Sequence, residues 1–89
     1  MATKIIIVTG KVQGVFFRAH TRDEANKLGI TGRVRNLPDG SVHIIAEGKP
    51  EAMKAFLVWC ATGPARARVD GIDIQDTEPR GYRDFTIVR

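Results

Sequence analysis

Nine consecutive residues, Gly10-Lys11-Val12-Gln13-Gly14-Val15-Phe16-Phe17-Arg18, carry the types and spacing best able to do chemistry in this chain. The glycines keep the segment sterically bare just where an extended, β-branched run gives way to a helical pattern. A bare loop can turn successive backbone N–H groups inward, and the helix start that follows adds unpaired donors and the positive end of a dipole. Such an arrangement suits an anion. The dipole repels a cation in the first helical turn, so Arg18 is locally unfavourable there unless an anion offsets it. The plainer reading is that the glycines serve only turn geometry. Known nucleotide fingerprints do not apply: three residues rather than four separate Gly10 from Gly14, no Lys-Ser/Thr pair follows, and the dinucleotide pattern is missing too.

The whole chain bounds what such a loop can serve. Its 89 residues suffice for one domain, 1–89, with a two-layer core. A hydrophobic fraction of 43% with 27% charged residues is ordinary for a globular protein, which excludes a disordered or fibrous chain. The formal charge of +4 and a pI near 9.7 favour an anionic partner, small or large. One cysteine, Cys60, excludes an internal disulfide, and with two histidines it makes no metal-ligand spacing, so a reducing cytoplasm is the expected setting and no metal is expected. The apolar run Ile5 to Val8 is too short for a signal-peptide core or a membrane span.

The elements that position the loop follow from periodicity. Lys4 to Thr9 is apolar on both faces at its centre, the pattern of an interior strand. From Phe17 the period becomes helical through Thr21, Ala25 and Leu28, with Gly29 placed as a left-handed C-terminal stop. Thr31 to Leu37 alternates Arg33 and Arg35 with Val34 and Asn36; the turn signal Pro38-Asp39-Gly40 joins it to Ser41 to Glu47, predicting a hairpin. Pro50 suits the first turn of a second helix whose stripe is Met53, Phe56, Leu57 and Cys60, and Gly63-Pro64 ends it. Ala67 to Ile74 reads as a strand whose parity changes near Gly71, and Phe85 to Val88 as a short closing strand. The order β-α-β-β-α-β plus a closing strand predicts an α+β, ferredoxin-like split βαβ sandwich. Two helices would cover one face of a mostly antiparallel sheet of four or five strands. That fold hosts RNA-binding modules, regulatory domains and enzymes alike.

The residues VQGVFFR, preceded by Gly10-Lys11, together with RNLPDG at Arg35 to Gly40, resemble the acylphosphatase family. The similarity extends from Ile5 to Arg89 through GITGRVRNLPDGSV, the EG after the third strand, GPARARV and the final F-x-I. The resemblance implies a small, metal-free enzyme without cofactor, monomeric, hydrolysing the carboxyl–phosphate bond of small-molecule acyl phosphates. It implies that the loop Lys11, Val12, Gln13, Gly14, Val15, Phe16 and Phe17 cradles the phosphoryl group by backbone N–H, that Arg18 binds its oxygens, and that Asn36 holds the attacking water. Inorganic phosphate or sulfate is expected to bind the same loop. These roles are chemically sound. A bidentate guanidinium and fixed N–H groups match the charge spread over equatorial phosphoryl oxygens, and a neutral amide can orient water without titrating. A carboxylate leaving group, with a pKa of roughly 4, needs no acid to protonate it; in the family's proposed mechanism the substrate's own phosphate takes the proton from water. Two positions depart from the common pattern: Lys11 stands where arginine is usual, and Phe16 where a small residue is frequent.

Other residues have simpler expected roles. One of Phe16 and Phe17 should enter the core while the other shields the pocket. His20 is expected on a helix surface and His43 solvated on the sheet face opposite Val42. Cys60 and Trp59 should pack in and beside the core, and Arg66, Arg68, Arg80 and Arg83 could steer anions. Two rival functions remain: an RNA-binding module of the same fold, and a non-catalytic anion-binding regulatory domain. Base stacking wants aromatics on the open sheet face, whereas these enter a helix, so no nucleic acid and no membrane is expected as partner. A third possibility is the acylphosphatase-like domain of larger carbamoyl-transferring maturation proteins; the chain ends one strand after the domain is complete, so no further domain is expected.

Overall fold

Seven elements account for the chain in a computed structural model that describes residues 1–89: β1 (Ala2–Lys11), α1 (Phe17–Leu28), β2 (Thr31–Asn36), β3 (Val42–Gly48), α2 (Pro50–Thr62), β4 (Arg68–Asp76) and β5 (Phe85–Ile87). The strands form one five-stranded sheet in the order β4-β1-β3-β2-β5. All pairings are antiparallel except β2 with β5, which is parallel. Both helices pack on one face, which is the ferredoxin-like α+β arrangement. β1 is interior, as its apolar centre predicts, but β3 rather than β1 is the middle strand.

The helix-facing side chains of the sheet, Ile6, Val8, Val34, Val42, Ile44, Ala46 and Phe85, meet Phe17, Ala25, Met53, Phe56 and Cys60 in a single core. Each large side chain fully buried there contributes about 1.5–3 kcal/mol. Phe56 lies edge-on to Phe85 at 6.1 Å, and Trp59 sits between Phe17 at 5.7 Å and Phe56 at 6.4 Å. Helix α1 ends as its sequence predicts: Gly29 takes φ 72, and the Ile30 N–H reaches back to the Ala25 carbonyl at 2.8 Å, satisfying an otherwise orphaned acceptor.

The parity change foreseen near Gly71 is a bulge. Thr9 pairs with Gly71 while the next residue, Gly10, pairs with Val69, leaving Asp70 as the extra residue of β4. At that point β1 approaches β4 so closely that a Cβ on Gly10 would lie 2.2 Å from the Arg68 carbonyl oxygen. The bulge thus falls beside the end of β1, where the chain leaves the sheet for the loop before α1.

One open-face residue is not solvated as alternation suggests. Glu47 is buried at 3% exposure, because the β4–β5 connection folds over it. Its Oε2 accepts from the Thr3 hydroxyl at 2.9 Å and the Arg80 N–H at 2.6 Å; its Oε1 accepts from the N–H groups of Gly81 at 2.9 Å and Tyr82 at 3.1 Å. These bonds, led by that from Arg80, hold the carboxyl below its ordinary value. His43, expected to be solvated, is instead half-buried, and desolvation, then the charges of Arg35 and Arg80, push its imidazole down.

Candidate active site

The connection from β1 to α1 forms one wall of a cleft of about 510 Å³ lined by Val12, Gln13, Gly14, Phe16, Phe17, Arg18, Ala19, Asn36, Ile87 and Arg89. It is built from three parts of the chain: the loop with the start of α1, the end of β2, and the end of β5 with the residues that follow it. Asn36 reaches it because it shares the parity of Val34, so its side chain points to the helix layer where the loop also lies.

The loop backbone is unusual at two positions. Gly14 takes φ 73 and Phe16 φ 59, the latter the one non-glycine residue in the left-handed region. For Phe16 this costs about 1–2 kcal/mol. Its ring is also 72% exposed, whereas Phe17 is 2% exposed and sits in the core. Phe16 occupies the N-cap position of α1, but no side chain caps the helix and no acidic residue stands in its first turn. The N–H groups of that turn therefore keep their positive end free toward the cleft.

Arg18 lies in this turn, half-buried, and makes no ion pair. Its Nη1 donates to the Val88 carbonyl at 3.2 Å, and the Val88 N–H donates to the Val34 carbonyl at 2.8 Å. Strand β2 thus supports the segment that holds the guanidinium. Arg89, exposed at the cleft, adds a second positive charge. Asn36 offers the complementary feature: its Oδ1 is the single buried side-chain N or O atom without a hydrogen-bond partner. An orphaned acceptor costs about 1–3 kcal/mol. The two ends of a carboxamide are isosteric, so rotation about χ2 exchanges them, and either end needs a partner that the cleft can supply.

A side-chain tie fixes the spacing of the two walls. Gln13 Nε2 donates to the carbonyls of Leu37 and Ser41, both at 2.8 Å, binding the loop to the turn after β2. That turn is itself closed by Gly40 N–H to the Leu37 carbonyl at 3.1 Å. Asp39 Oδ1 accepts from the Ser41 N–H at 2.9 Å and its hydroxyl at 2.5 Å, which lowers the Asp39 pKa.

Of the residues singled out from sequence, Arg18, Asn36, Val12, Gln13, Gly14, Phe16 and Phe17 line the cleft together; Lys11 and Val15 do not. Lys11 is exposed at the end of β1, and Val15 is buried at 7% exposure. Among the arginines considered for steering, Arg68 is committed to Asp70 at 3.0 Å, and it is Arg89, not singled out beforehand, that flanks the cleft. Ile87 and the Val88 carbonyl are further participants missed; their only sequence signal was the apolar parity of the closing strand. His20 is exposed outside the cleft, and no cluster of three His, Cys, Asp or Glu side chains could hold a metal ion. The fold leaves Phe16 in the loop and Phe17 in the core, so neither offers a base-stacking platform on the open sheet face.

The family model and the curated relatives agree with one another, and the same fold also forms 12% of the larger HypF of T. kodakarensis, at 33% identity and a TM-score of 0.87. A family model described as acylphosphatase matches residues 4–87. A protein of Marinobacter nauticus named acylphosphatase is 55% identical over 71 residues, covering 80% of this chain and 77% of that protein. Another, from Methylococcus capsulatus, is 46% identical over 85 residues, covering 94% and 92%. The crystal structure of acylphosphatase from Bacillus subtilis superposes with a TM-score of 0.97 at 37% identity, covering all of both chains.

Proposed function

The chain belongs to the acylphosphatase family, and from that premise we propose how its cleft hydrolyses the carboxyl–phosphate bond of an acyl phosphate. The phosphoryl group binds over the loop 11–17, taking N–H donors from the loop and the uncapped first turn of α1. The Arg18 guanidinium forks onto its oxygens, where it also meets the charge that builds up in transfer. Asn36 holds a water against the phosphorus. The water oxygen forms the new P–O bond, the bond from phosphorus to the acyl oxygen breaks, and the carboxylate leaves with that electron pair. The water's proton passes to the departing phosphate. A carboxylate is a good leaving group, so the reaction needs no protein acid and no metal.

The observation that carries this reading is the convergence on one cleft of an unpaired cation at a helix N-terminus and a side-chain amide with an unsatisfied oxygen. Simple anion storage would need the first and not the second. With a single cysteine, Cys60, that can form no internal disulfide, we read the protein as a monomer of the reducing cytoplasm. Titration with inorganic phosphate by calorimetry tests the division of labour. Arg18→Ala is expected to lose phosphate binding, and Asn36→Ala to keep it within about threefold. Undiminished binding by Arg18→Ala would mean that this guanidinium does not hold the phosphoryl group.

A further inference from the structure

The cleft is larger than the group it is built to hold. At about 510 Å³ and open to solvent, it has room beside a tetrahedral phosphoryl group for a further part of a substrate. The cleft also has two characters. Gln13, Gly14, Arg18 and Asn36 form a polar wall, while Phe16 and Ile87 present apolar surface beside it; Val12 and Phe17, which also line it, are already sunk in the core at 1% and 2% exposure.

Phe16 is the unexplained member. It is the one non-glycine residue in left-handed backbone, its ring is 72% exposed, and it joins neither the core nor any aromatic pair. The left-handed turn at the N-cap is what lifts this ring out of the fold and sets it at the rim of the cleft. A glycine at the same place would avoid the backbone strain, and a polar residue would avoid the exposed ring. Both disadvantages are recovered if a ligand covers the ring. An acyl phosphate has a part that must lie near it. With the phosphoryl group on the loop that contains Phe16, the acyl group begins one bridging oxygen away, within reach of the rim.

We infer that Phe16 and Ile87 form the acyl subsite, which selects acyl phosphates whose acyl group is aromatic or bulky and apolar over those with a small one. This rests on the phosphoryl group binding over the loop as proposed above. Aromatic packing of this kind favours the larger group about tenfold.

The test compares kcat/KM for benzoyl phosphate and acetyl phosphate in the wild type, Phe16→Ala and Phe16→Gly. A parallel binding series uses phenylphosphonate and methylphosphonate as inhibitors, with inorganic phosphate measured on each protein to correct for any change in the loop itself. The expected result is a benzoyl preference in the wild type that falls about tenfold in both variants, with the loss in KM, and a matching fall in the phenyl-to-methyl inhibition ratio. The glycine variant guards against misfolding, because it relieves the left-handed strain. Hydrolysis of both substrates with ratios unmoved in the variants would overturn the acyl subsite alone. A wild type that hydrolyses neither would overturn the underlying catalytic reading, and this inference with it.

Discussion

Replacing Glu47 with glutamine tests whether this buried carboxylate fastens the β4–β5 connection. A carboxamide has one oxygen where the carboxylate has two. In its best orientation that oxygen keeps the N–H groups of Gly81 and Tyr82, and the amide nitrogen faces the Thr3 hydroxyl, which can turn to accept, and the Arg80 N–H, which cannot. One buried N–H is then left unmatched, and the remaining bonds lose their ionic partner. The cost is about 2–4 kcal/mol, a large part of the stability of a domain this size. Thermal melts followed by far-UV circular dichroism at neutral pH should show the variant's Tm lower by about 10–25 °C. The difference is also pH-dependent. The folded protein holds Glu47 below its ordinary 4.5, so its contribution is complete above that value and is lost as pH falls through the lower folded value. Protonated Glu47 resembles glutamine, so the two Tm values should draw together in acid. A difference under about 3 °C at neutral pH, or one that persists unchanged in acid, would refute this reasoning.

Three further outcomes are expected. Gln13→Ala removes two bonds to carbonyls that each keep another donor, so it should lower stability by only about 1–3 kcal/mol. Its larger effect should be on kcat, about tenfold, because the loop and the Asn36 strand are no longer tied; stopped-flow turnover and urea melts on the same preparation separate the two. Cys60 is fully buried, and burial pushes its thiol up to about 12. It should therefore resist a disulfide reagent in native buffer and react at once in denaturant. His20 is outside the cleft and His43 lies on the opposite face of the sheet. Accordingly kcat/KM should be flat between about pH 6 and 8, and both His→Gln variants should keep the wild-type profile.

Which features the sequence revealed follows from how local their causes are. Helix α1 was readable to its last residue because both its apolar stripe and the Gly29 stop are set within a few positions. The strands were readable in kind but not in length. β1 extends to Ala2 and Lys11 because Gly48 and Arg68 offer pairing partners there, and partners are a property of the fold. Asn36 could be aimed at the helix layer from parity alone. Gln13 could not be foreseen as a tie, since its two carbonyl partners are brought near only when the hairpin packs beside the loop. Glu47 shows the opposite failure: alternation places it correctly on the open face, yet the nature of that site is decided by a loop more than thirty residues later in the chain. Ile87 showed in the sequence only as the apolar parity of a short strand, and Arg89 not at all, because it lies beyond the parallel pairing of β5 with β2, which ends at Ile87.

Joint action of Arg18 and Asn36 on a phosphoryl group, without a metal, is tested most directly by the hydrolysis of benzoyl phosphate in excess chelator by the wild type, Arg18→Ala and Asn36→Ala. The wild type should turn over undiminished. Arg18→Ala should lose on the order of a thousandfold in kcat/KM by analogy with a lost oxyanion donor, and Asn36→Ala should fall in kcat far more than it rises in KM. Wild-type activity abolished by the chelator, or either variant turning over at the wild-type rate, would contradict it.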